Sequence, residues 1–211
     1  MKEGNLKKPV ISSACPAIVR LIRVCFPELL ENLLPINPPV ELAAKLAREH
    51  AVKETGLKPQ EIGVFFISPC PAKASYVKNG FGEYKSNVDV VVSISDVYFK
   101  LINEMKPNDE IDTFSDSGMI GIGWATAGGE AKAILNEDYL AADGIDNVIR
   151  VLDQIEDGNI PKLEFVELNA CNGGCVGGAL NVENPYIARA RLHIIRRYLP
   201  VSKTRLDGKN T

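Results

Sequence analysis

The segment FVELNACNGGCVGGAL, residues 165 to 180, is an apolar run that ends in two cysteines, Cys171 and Cys175, set among four glycines. Its apolar part, with the preceding KLE, predicts a β-strand. Glycine is conformationally costly, so this density of glycine predicts a backbone that must approach something bulky. The C-x-x-x-C spacing just beyond a strand therefore indicates a binding loop.

The rest of the 211-residue chain has the composition of a folded, water-soluble protein, with 45% hydrophobic and 24% charged residues. Its net charge of -3, without a basic stripe, argues against nucleic acid as a partner. No run reaches ~18 apolar residues and the first ten lack the apolar core of a signal peptide, so we expect a cytoplasmic protein that does not bind membranes. The chain has five cysteines, and in a reducing compartment these are expected to bind metal, take part in redox chemistry or be buried rather than form disulfides.

Alternating strand and helix patterns predict an α/β fold with parallel strands. Apolar runs predict strands at Val10 and Ile11, at 62–67 as a buried strand, at 87–92 and at 162–168. Periodic apolar residues predict helices from Pro16 to Leu33, from Pro38 to Gly56, after a cap at Ser95, from about Glu130, over 143–158 and from Pro185.

Three cysteines share one position in this pattern, because Cys15, Cys70 and Cys171 each follow the carboxyl end of a predicted strand. Ligands gather at that edge of an open α/β sheet, so we expect these three and Cys175 to converge. Cys25 instead falls on the apolar stripe of the first helix and is predicted to be buried in the core.

Four thiolates suit either zinc or an iron–sulfur cluster. Structural zinc sites usually take their ligands from tight two-residue knuckles, whereas Cys15 and Cys70 each stand alone, which favours a cluster. Small neighbouring residues leave room for sulfide and expose backbone N–H donors. These are Ala14, Ala72, Ala170, Gly173 and Gly174.

Three segments, SSACPA at 12–17, SPCPAK at 68–73 and ELNACNGGC at 167–175, carry a family resemblance. In this order they resemble the signature segments of the iron-iron hydrogenase catalytic domain, T-S-C-C-P, M-P-C-x-x-K and M-A-C-x-G-G-C. The resemblance runs from about residue 9 to residue 200. It implies two α/β lobes with mostly parallel sheets, roughly 9–110 and 111–200, and a polar tail at 201–211. The six-iron H-cluster would lie between the lobes at the carboxyl ends of strands.

The resemblance also implies a role for individual residues. The 4Fe-4S cubane would be held by the four converging cysteines, and Cys175 would bridge to a diiron subcluster bearing carbonyl, cyanide and a dithiolate. Lys73 matches the lysine that contacts a cyanide, and Cys25 matches no ligand. Further contacts with the cofactor are expected from Gly173, Gly174, Pro69 and Pro16.

Three positions depart from the family pattern. Ala14 stands where catalytic members carry the cysteine that passes protons to the diiron site, and Ser68 and Asn169 replace two methionines around that site. These changes resemble sensory-type hydrogenases, which turn over slowly and are usually linked to signalling domains. We therefore expect hydrogen or redox sensing. The alternatives are a turnover hydrogenase that oxidises hydrogen and reduces protons by another proton route, and a cubane-only or cofactor-free module.

The family places a substantial segment before its first motif, whereas this chain begins almost at that motif, so we expect a fragment or a truncated homologue. The implied partners are hydrogen and protons, an electron carrier such as ferredoxin or fused iron–sulfur domains, and signalling domains in a longer parent. In the family, hydrogenase maturation proteins install the diiron subcluster. An isolated chain is therefore expected to lack that subcluster, and it could lack the cubane as well.

Overall fold

The computed structural model of the chain describes residues 6–79, 85–105 and 117–201. Its strands are β1 (Val10–Ile11), β2 (Phe65–Ser68), β3 (Val90–Ser93), β4 (Tyr139–Asp143) and β5 (Phe165–Asn169). Its helices are α1 (Pro16–Cys25), α2 (Pro39–Thr55), α3 (Pro71–Asn79), α4 (Ile94–Leu101), α5 (Met119–Gly123), α6 (Gly129–Ala133), α7 (Ile145–Glu156) and α8 (Pro185–Arg196). The predicted lobe boundary at 110/111 and the tail beyond residue 201 lie outside the described residues.

The strands form two parallel sheets, which confirms the predicted α/β fold. The first sheet has the order β1-β5-β4, with Val10 opposite Phe165 and Tyr139 opposite the same residue. The second pairs β2 with β3, with Phe65 opposite Val90. Because all pairs are parallel, each sheet presents the carboxyl ends of its strands at one edge. Among the helices of the described ranges, none combines the length and hydropathy that a bilayer span requires.

The main core lies on the first sheet, where α1 and α7 pack against β5. Ile18 and Ile22 of α1 and Val148 and Leu152 of α7 are completely buried, as is Val166 of β5. Each pair is four residues apart, which places both side chains on one face of its helix. Burial of each such side chain contributes roughly 1.5 to 3 kcal/mol relative to exposure. This packing fixes the start of α1 and the end of β5, the two places from which Cys15 and Cys171 project.

The prediction that Cys25 is a core residue was wrong, because its side chain is exposed. The α-helix ends at Cys25, and Pro27 opens a separate 3-10 helix, Pro27–Asn32. Proline lacks an N–H and disfavours helical geometry in the residue before it, so the predicted helix to Leu33 is broken here. Phe26 is buried in the core cluster instead.

The second sheet also corrects the sequence-based expectation. The strand at 62–67 was expected to be buried, yet Phe65 is 66% and Ile67 52% exposed. The helices that contact this sheet, α3 and α4, leave the face bearing these side chains uncovered by described residues. The cap of α4 is Ser93, whose hydroxyl accepts a hydrogen bond from the Asp96 N–H at 2.9 Å, rather than Ser95.

Two predicted helix boundaries are confirmed. Helix α2 ends where Gly56 adopts the left-handed conformation, with φ of 71°. Helix α8 begins at Pro185, and the side chain of Asn184 accepts hydrogen bonds from the first-turn N–H groups of Tyr186 and Ile187. Strand β4 was not predicted. Its two central alanines give little β signal, and its pairing with β5 holds it in place.

Candidate metal centre

Four of the five cysteines line one cavity of about 450 Å³. Cys15 lies between β1 and α1, Cys70 between β2 and α3, and Cys171 follows β5, while Cys175 opens a 3-10 helix, Cys175–Gly177. Three of these thiols therefore come from the carboxyl edge of the first sheet, and Cys70 comes from the second. The cavity lies where the two edges face each other.

The donor chemistry of these thiols limits the kinds of metal site that they suit. All five cysteines are free thiols. Within the described ranges, no three His, Cys, Asp or Glu side chains are arranged to hold a single metal ion. A single zinc ion with bonds of ~2.3 Å would draw its sulfurs to within about 4 Å of one another, whereas a cluster spaces its thiolates around a polynuclear core. Four thiols that line one cavity are the donor set that an iron–sulfur cluster uses.

The electrostatics of the cavity favour the protonated form of two of the thiols, Cys171 and Cys175. Burial raises the pKa of the Cys171 thiol, and the neighbouring Cys70, Cys15 and Cys175 raise it further. Burial also raises the pKa of Cys175, against the opposing charge of Lys73. Metal binding would displace these protons, which makes loading of the site dependent on pH.

Lys73 connects the second sheet to the thiols of the first. It lies in the first turn of α3, where its N–H points to the sulfur of Cys70 at 3.4 Å. Its ammonium nitrogen lies 3.8 Å from the sulfur of Cys175. The start of a helix and a lysine both favour negative charge on sulfur, so this side of the cavity suits an anionic cluster.

The glycines of the ligand loop, residues 171–178, allow close packing that the sequence analysis did not predict. Gly173 and Gly174 adopt φ of 84° and 88°, which side chains with a Cβ rarely adopt. A Cβ on Gly174 would lie 2.5 Å from the Ala127 nitrogen, and one on Gly178 would meet the carbonyl of Pro69. Most of these glycines therefore allow the ligand loop to pack closely between two other segments of the protein.

Hydrogen bonds fix the ligand loop in that position. The carbonyl of Gly173 accepts from the Ala127 N–H at 3.0 Å, and the Val176 N–H donates to the carbonyl of Ala125 at 3.1 Å. Gly174 lines the cavity, as expected for a residue that contacts a cofactor. Gly173 instead faces Pro185 and Arg189 of α8 and is not among the lining residues.

Of the other predicted site residues, some line the cavity and some do not. Ala14, Pro16 and Asn169 line the cavity, whereas Ser68 and Pro69 do not. The fully buried Ser68 accepts a hydrogen bond from the N–H of Cys70 at 3.1 Å. Pro69 packs against the ligand loop at Gly178. These two residues thus position the turn that carries Cys70 and do not face the cavity themselves.

Two buried carboxylates that line the cavity were missed by the sequence analysis. Glu130 accepts a hydrogen bond from the hydroxyl of Ser12 at 2.7 Å. Glu167 accepts from the N–H groups of Gly128 and Ala131, both at 2.9 Å, and from the side-chain amide of Asn169 at 2.8 Å. Burial raises the pKa of Glu130 to about 6; the charge of Glu167 also raises it, while the Ser12 hydrogen bond and the charge of Lys73 lower it.

A sequence signal for one of these acids exists. Glu167 interrupts an otherwise apolar strand on the buried sheet, and a charge in such a place indicates a buried partner set. Glu130 carries no comparable signal, because it follows two glycines in a short helix that looks exposed from sequence. Much of the remaining lining of the cavity is apolar. It includes Pro38, Pro39, Val40, Ala43, Ala47, Val64, Phe66 and Trp124.

Comparison with known proteins shows which protein family the chain matches. The profile described as "Iron only hydrogenase large subunit, C-terminal domain" matches residues 1–141 and 130–179. The NADP-reducing hydrogenase subunit HndD of Solidesulfovibrio fructosivorans is 23% identical over 83% of this chain and 37% of its own length. Iron hydrogenase 1 of Clostridium pasteurianum is 20% identical over 83% of this chain and 38% of its own length. The chain thus spans little more than a third of these curated relatives.

Solved structures show the same fold. The structure that reports stepwise FeFe-hydrogenase H-cluster assembly in HydA(deltaEFG) matches with a TM-score of 0.67 and 15% identity, over 92% of this chain and 68% of the other. A variant of FeFe-hydrogenase HydA1 from Chlamydomonas reinhardtii matches with a TM-score of 0.64 and 16% identity, over 94% of this chain and 68% of the other.

Proposed function

The chain belongs to the family of iron-only hydrogenase C-terminal domains, and from this premise we propose that it holds an H-cluster and uses it to sense hydrogen or redox state. The observation that carries the proposal is the convergence of Cys15, Cys70, Cys171 and Cys175 on one cavity, with Lys73 beside Cys175. Each thiol projects from the end of a strand or from the ligand loop, so the fold itself presents the donor set.

In this proposal the four thiolates would hold the cubane, and Cys175 would also be a ligand of the diiron subcluster. The bound group would supply redox chemistry and reversible binding of hydrogen. The ammonium of Lys73 offsets negative charge next to Cys175. The apolar wall that includes Val64 and Phe66 limits access of water to the same cavity.

A sensing role is favoured over rapid turnover by the residue at position 14. Ala14 lines the cavity and its side chain carries no exchangeable proton. Proton relay by a positioned acid or base typically contributes about 10²- to 10⁴-fold to a rate, so a site without one at this position is expected to turn over slowly. A slow site can still change state when hydrogen binds.

Turnover is the second candidate, and the buried carboxylates favour it. Glu130 and Glu167 line the cavity, and the raised pKa of Glu130 lies close to the pH range in which a proton can be taken up and released. The Ser12 hydroxyl, bonded to Glu130, also accepts a hydrogen bond from the Ala14 N–H at 3.1 Å. A proton held on Glu130 would therefore lie close to the position of the missing thiol.

The proposal is tested first by cluster content. Anaerobic reconstitution with iron and sulfide should give about four iron atoms per chain and an electron paramagnetic resonance signal on reduction. Binding of a single zinc ion without uptake of iron and sulfide would contradict it. A chain that accepts the cubane but never the diiron subcluster during maturation would be a cubane-only module.

The second test separates sensing from turnover in the fully loaded protein. Sensing predicts a spectroscopic response to hydrogen together with slow hydrogen evolution from a reduced viologen dye. Fast evolution that falls at least about tenfold in Glu130→Gln, with an unchanged spectrum of the bound cluster, would favour turnover through the buried carboxylate. The cluster spectrum distinguishes loss of a proton route from loss of the site.

A further inference from the structure

A second cavity, of about 830 Å³, lies between α1, α2 and the segment 26–38 that connects these helices. Among the described residues, its lining includes no cysteine and shares only Pro38 with the cavity of the candidate metal centre. Sites for small molecules usually have volumes of about 300 to 1,000 Å³. The second cavity is therefore distinct from the metal centre and large enough for a ligand of its own.

The connecting segment maintains the shape of the second cavity. Pro27 opens a 3-10 helix, so the chain leaves the path of α1 at that point. Beyond this turn the Leu34 N–H donates to the carbonyl of Ile11 at 2.8 Å. The hydroxyl of Ser13 donates to the carbonyl of Ile36 at 3.1 Å. These bonds anchor the segment to β1 and to the turn that follows β1, so the cavity is formed without a ligand.

More than half of the side chains that line the second cavity are apolar. Two of them are open to solvent, since Leu30 is 42% and Ile36 61% exposed. The other apolar members of the lining are Val19, Leu33, Leu34, Pro35, Pro38 and Leu42. A ligand with an apolar body would remove this surface from water, which favours binding.

The charged residues of the second cavity favour a negative head group on that ligand. Arg23 of α1 and Lys45 of α2 line the cavity and are exposed, so their positive charges lie on its solvent side. Glu41 also lines it, but this residue is only 4% exposed. Its carboxylate accepts hydrogen bonds from the Ser86 hydroxyl and the Asn87 N–H, both at 2.6 Å. The negative charge is thus stabilised within the protein, whereas the two cations lie where a ligand would enter.

We propose that the second cavity binds a medium-chain aliphatic carboxylate, with its chain against Leu30, Leu33 and Ile36 and its carboxylate beside Arg23 and Lys45. Both types of basic side chain bind carboxylates, and arginine can do so through two parallel hydrogen bonds. A small inorganic anion would leave the apolar lining in water, and an organic cation would bring its charge next to two like charges. The proposal is independent of the proposed function, because none of these residues is a candidate metal ligand.

Calorimetry on the metal-free full chain, with octanoate as the probe, tests the proposal. Octanoate should bind saturably, at about one molecule per chain. Its affinity should exceed that of hexanoate by roughly tenfold, because two more methylene groups are buried. Octylammonium has a similar chain and the opposite charge, and it should bind at least about tenfold more weakly at low salt.

A pair of double variants tests the two cations. Arg23→Gln/Lys45→Gln should weaken octanoate binding by about three- to tenfold and reduce the preference over octylammonium, while the ratio of octanoate to hexanoate affinity stays the same. The matched control, Arg20→Gln/Lys53→Gln, removes one arginine and one lysine from exposed positions of the same two helices, outside the lining. It should change the affinity for octanoate less than about twofold.

Other results would overturn the proposal. Equal or tighter binding of octylammonium would assign the cavity to an organic cation, and uptake of octanoate without saturation would show adsorption on exposed apolar surface. Methyl signals in nuclear magnetic resonance that shift at Ile67, with Leu30 and Leu33 unchanged, would place octanoate on the second sheet. Loss of octanoate binding after iron reconstitution would place it in the first cavity. A chain that takes up no iron and still binds octanoate contradicts only the proposed function.

Discussion

The ammonium nitrogen of Lys73 lies 3.8 Å from the sulfur of Cys175, although 102 residues separate them in the chain. The contact joins α3, which follows strand β2 of the second sheet, to the ligand loop, which follows strand β5 of the first. Burial raises the pKa of the Cys175 thiol, and the positive charge of Lys73 lowers it.

Replacing Lys73 by glutamine should therefore raise the pKa of Cys175 further in the metal-free chain. Since the thiolate is the reactive form, alkylation of Cys175 by iodoacetamide at pH 8 should slow by about three- to tenfold, as measured site by site with mass spectrometry. Lys78→Gln, at an exposed position of the same helix, is the matched control and should leave the rate unchanged. Equal rates in all three proteins would show that the lysine does not influence the thiol.

Removal of single cysteines should separate ligands from bystanders. Cys70→Ala and Cys171→Ala are expected to reduce iron content and cluster absorption after anaerobic reconstitution, because each removes one of four convergent thiols. Cys25→Ala is the control, since its side chain is exposed at the end of α1, away from the other cysteines. Iron loss in Cys25→Ala equal to that in Cys171→Ala would contradict the assignment.

The raised pKa of Glu130 predicts a dependence of stability on pH. Its folded-state pKa of about 6 lies above the ordinary value of 4.5, so between these values the folded chain holds a proton that the unfolded chain has released. The free energy of unfolding should thus fall by about 2 kcal/mol as pH rises through this window. The contribution is fully present below pH 4.5 and is lost by about pH 6.

Glu130→Gln should abolish this slope and make the metal-free chain more stable above pH 6, by up to about 2 kcal/mol. Glutamine keeps an oxygen that can accept the Ser12 hydroxyl. Urea unfolding between pH 4.5 and 7.5 measures the effect, and Glu137→Gln, at an exposed position, controls for loss of a charge. A slope that persists in Glu130→Gln would show that another group titrates.

The close packing of the ligand loop predicts a difference between two glycine variants. Gly158→Ala should destabilise the fold by about 1 to 2 kcal/mol, because its only cost is φ of 68°, with nothing near the added methyl group. Gly174→Ala meets the Ala127 nitrogen as well, and overpacking adds roughly 1 to 3 kcal/mol. Denaturant midpoints give both values, and equal losses would mean that the loop can move away from Ala127.

Sequence patterns were sufficient for the features that depend on local order. Each of Cys15, Cys70 and Cys171 follows the end of an observed strand. This could be predicted because an apolar run followed by a small polar turn is a local signal. Cys25 was misplaced because an apolar stripe continues across Pro27, whereas the backbone does not remain helical there. Periodicity shows only which residues are apolar, whereas the break in the helix depends on the N–H that Pro27 lacks.

The remaining features depend on contacts between distant segments, which no local pattern contains. Glu130 is buried because Ser12, 118 residues earlier, lies against it. A Cβ at position 174 or 178 would meet Ala127 or Pro69, which are distant in the sequence. Strand β4 exists because β5 pairs with it, although its own sequence favours no strand.

The pairing of β1 with β5, which aligns Val10 with Phe165, has a consequence for how the protein is made. Cys15 leaves the ribosome well before Cys171, because β5, the strand that brings the two together, follows β1 only after a long intervening sequence. At about 5 to 20 residues per second, the early thiols wait on the order of ten seconds before their neighbours exist. The four candidate ligands can thus converge only after the ligand loop has been synthesised, and under the proposed function insertion of iron must follow that step.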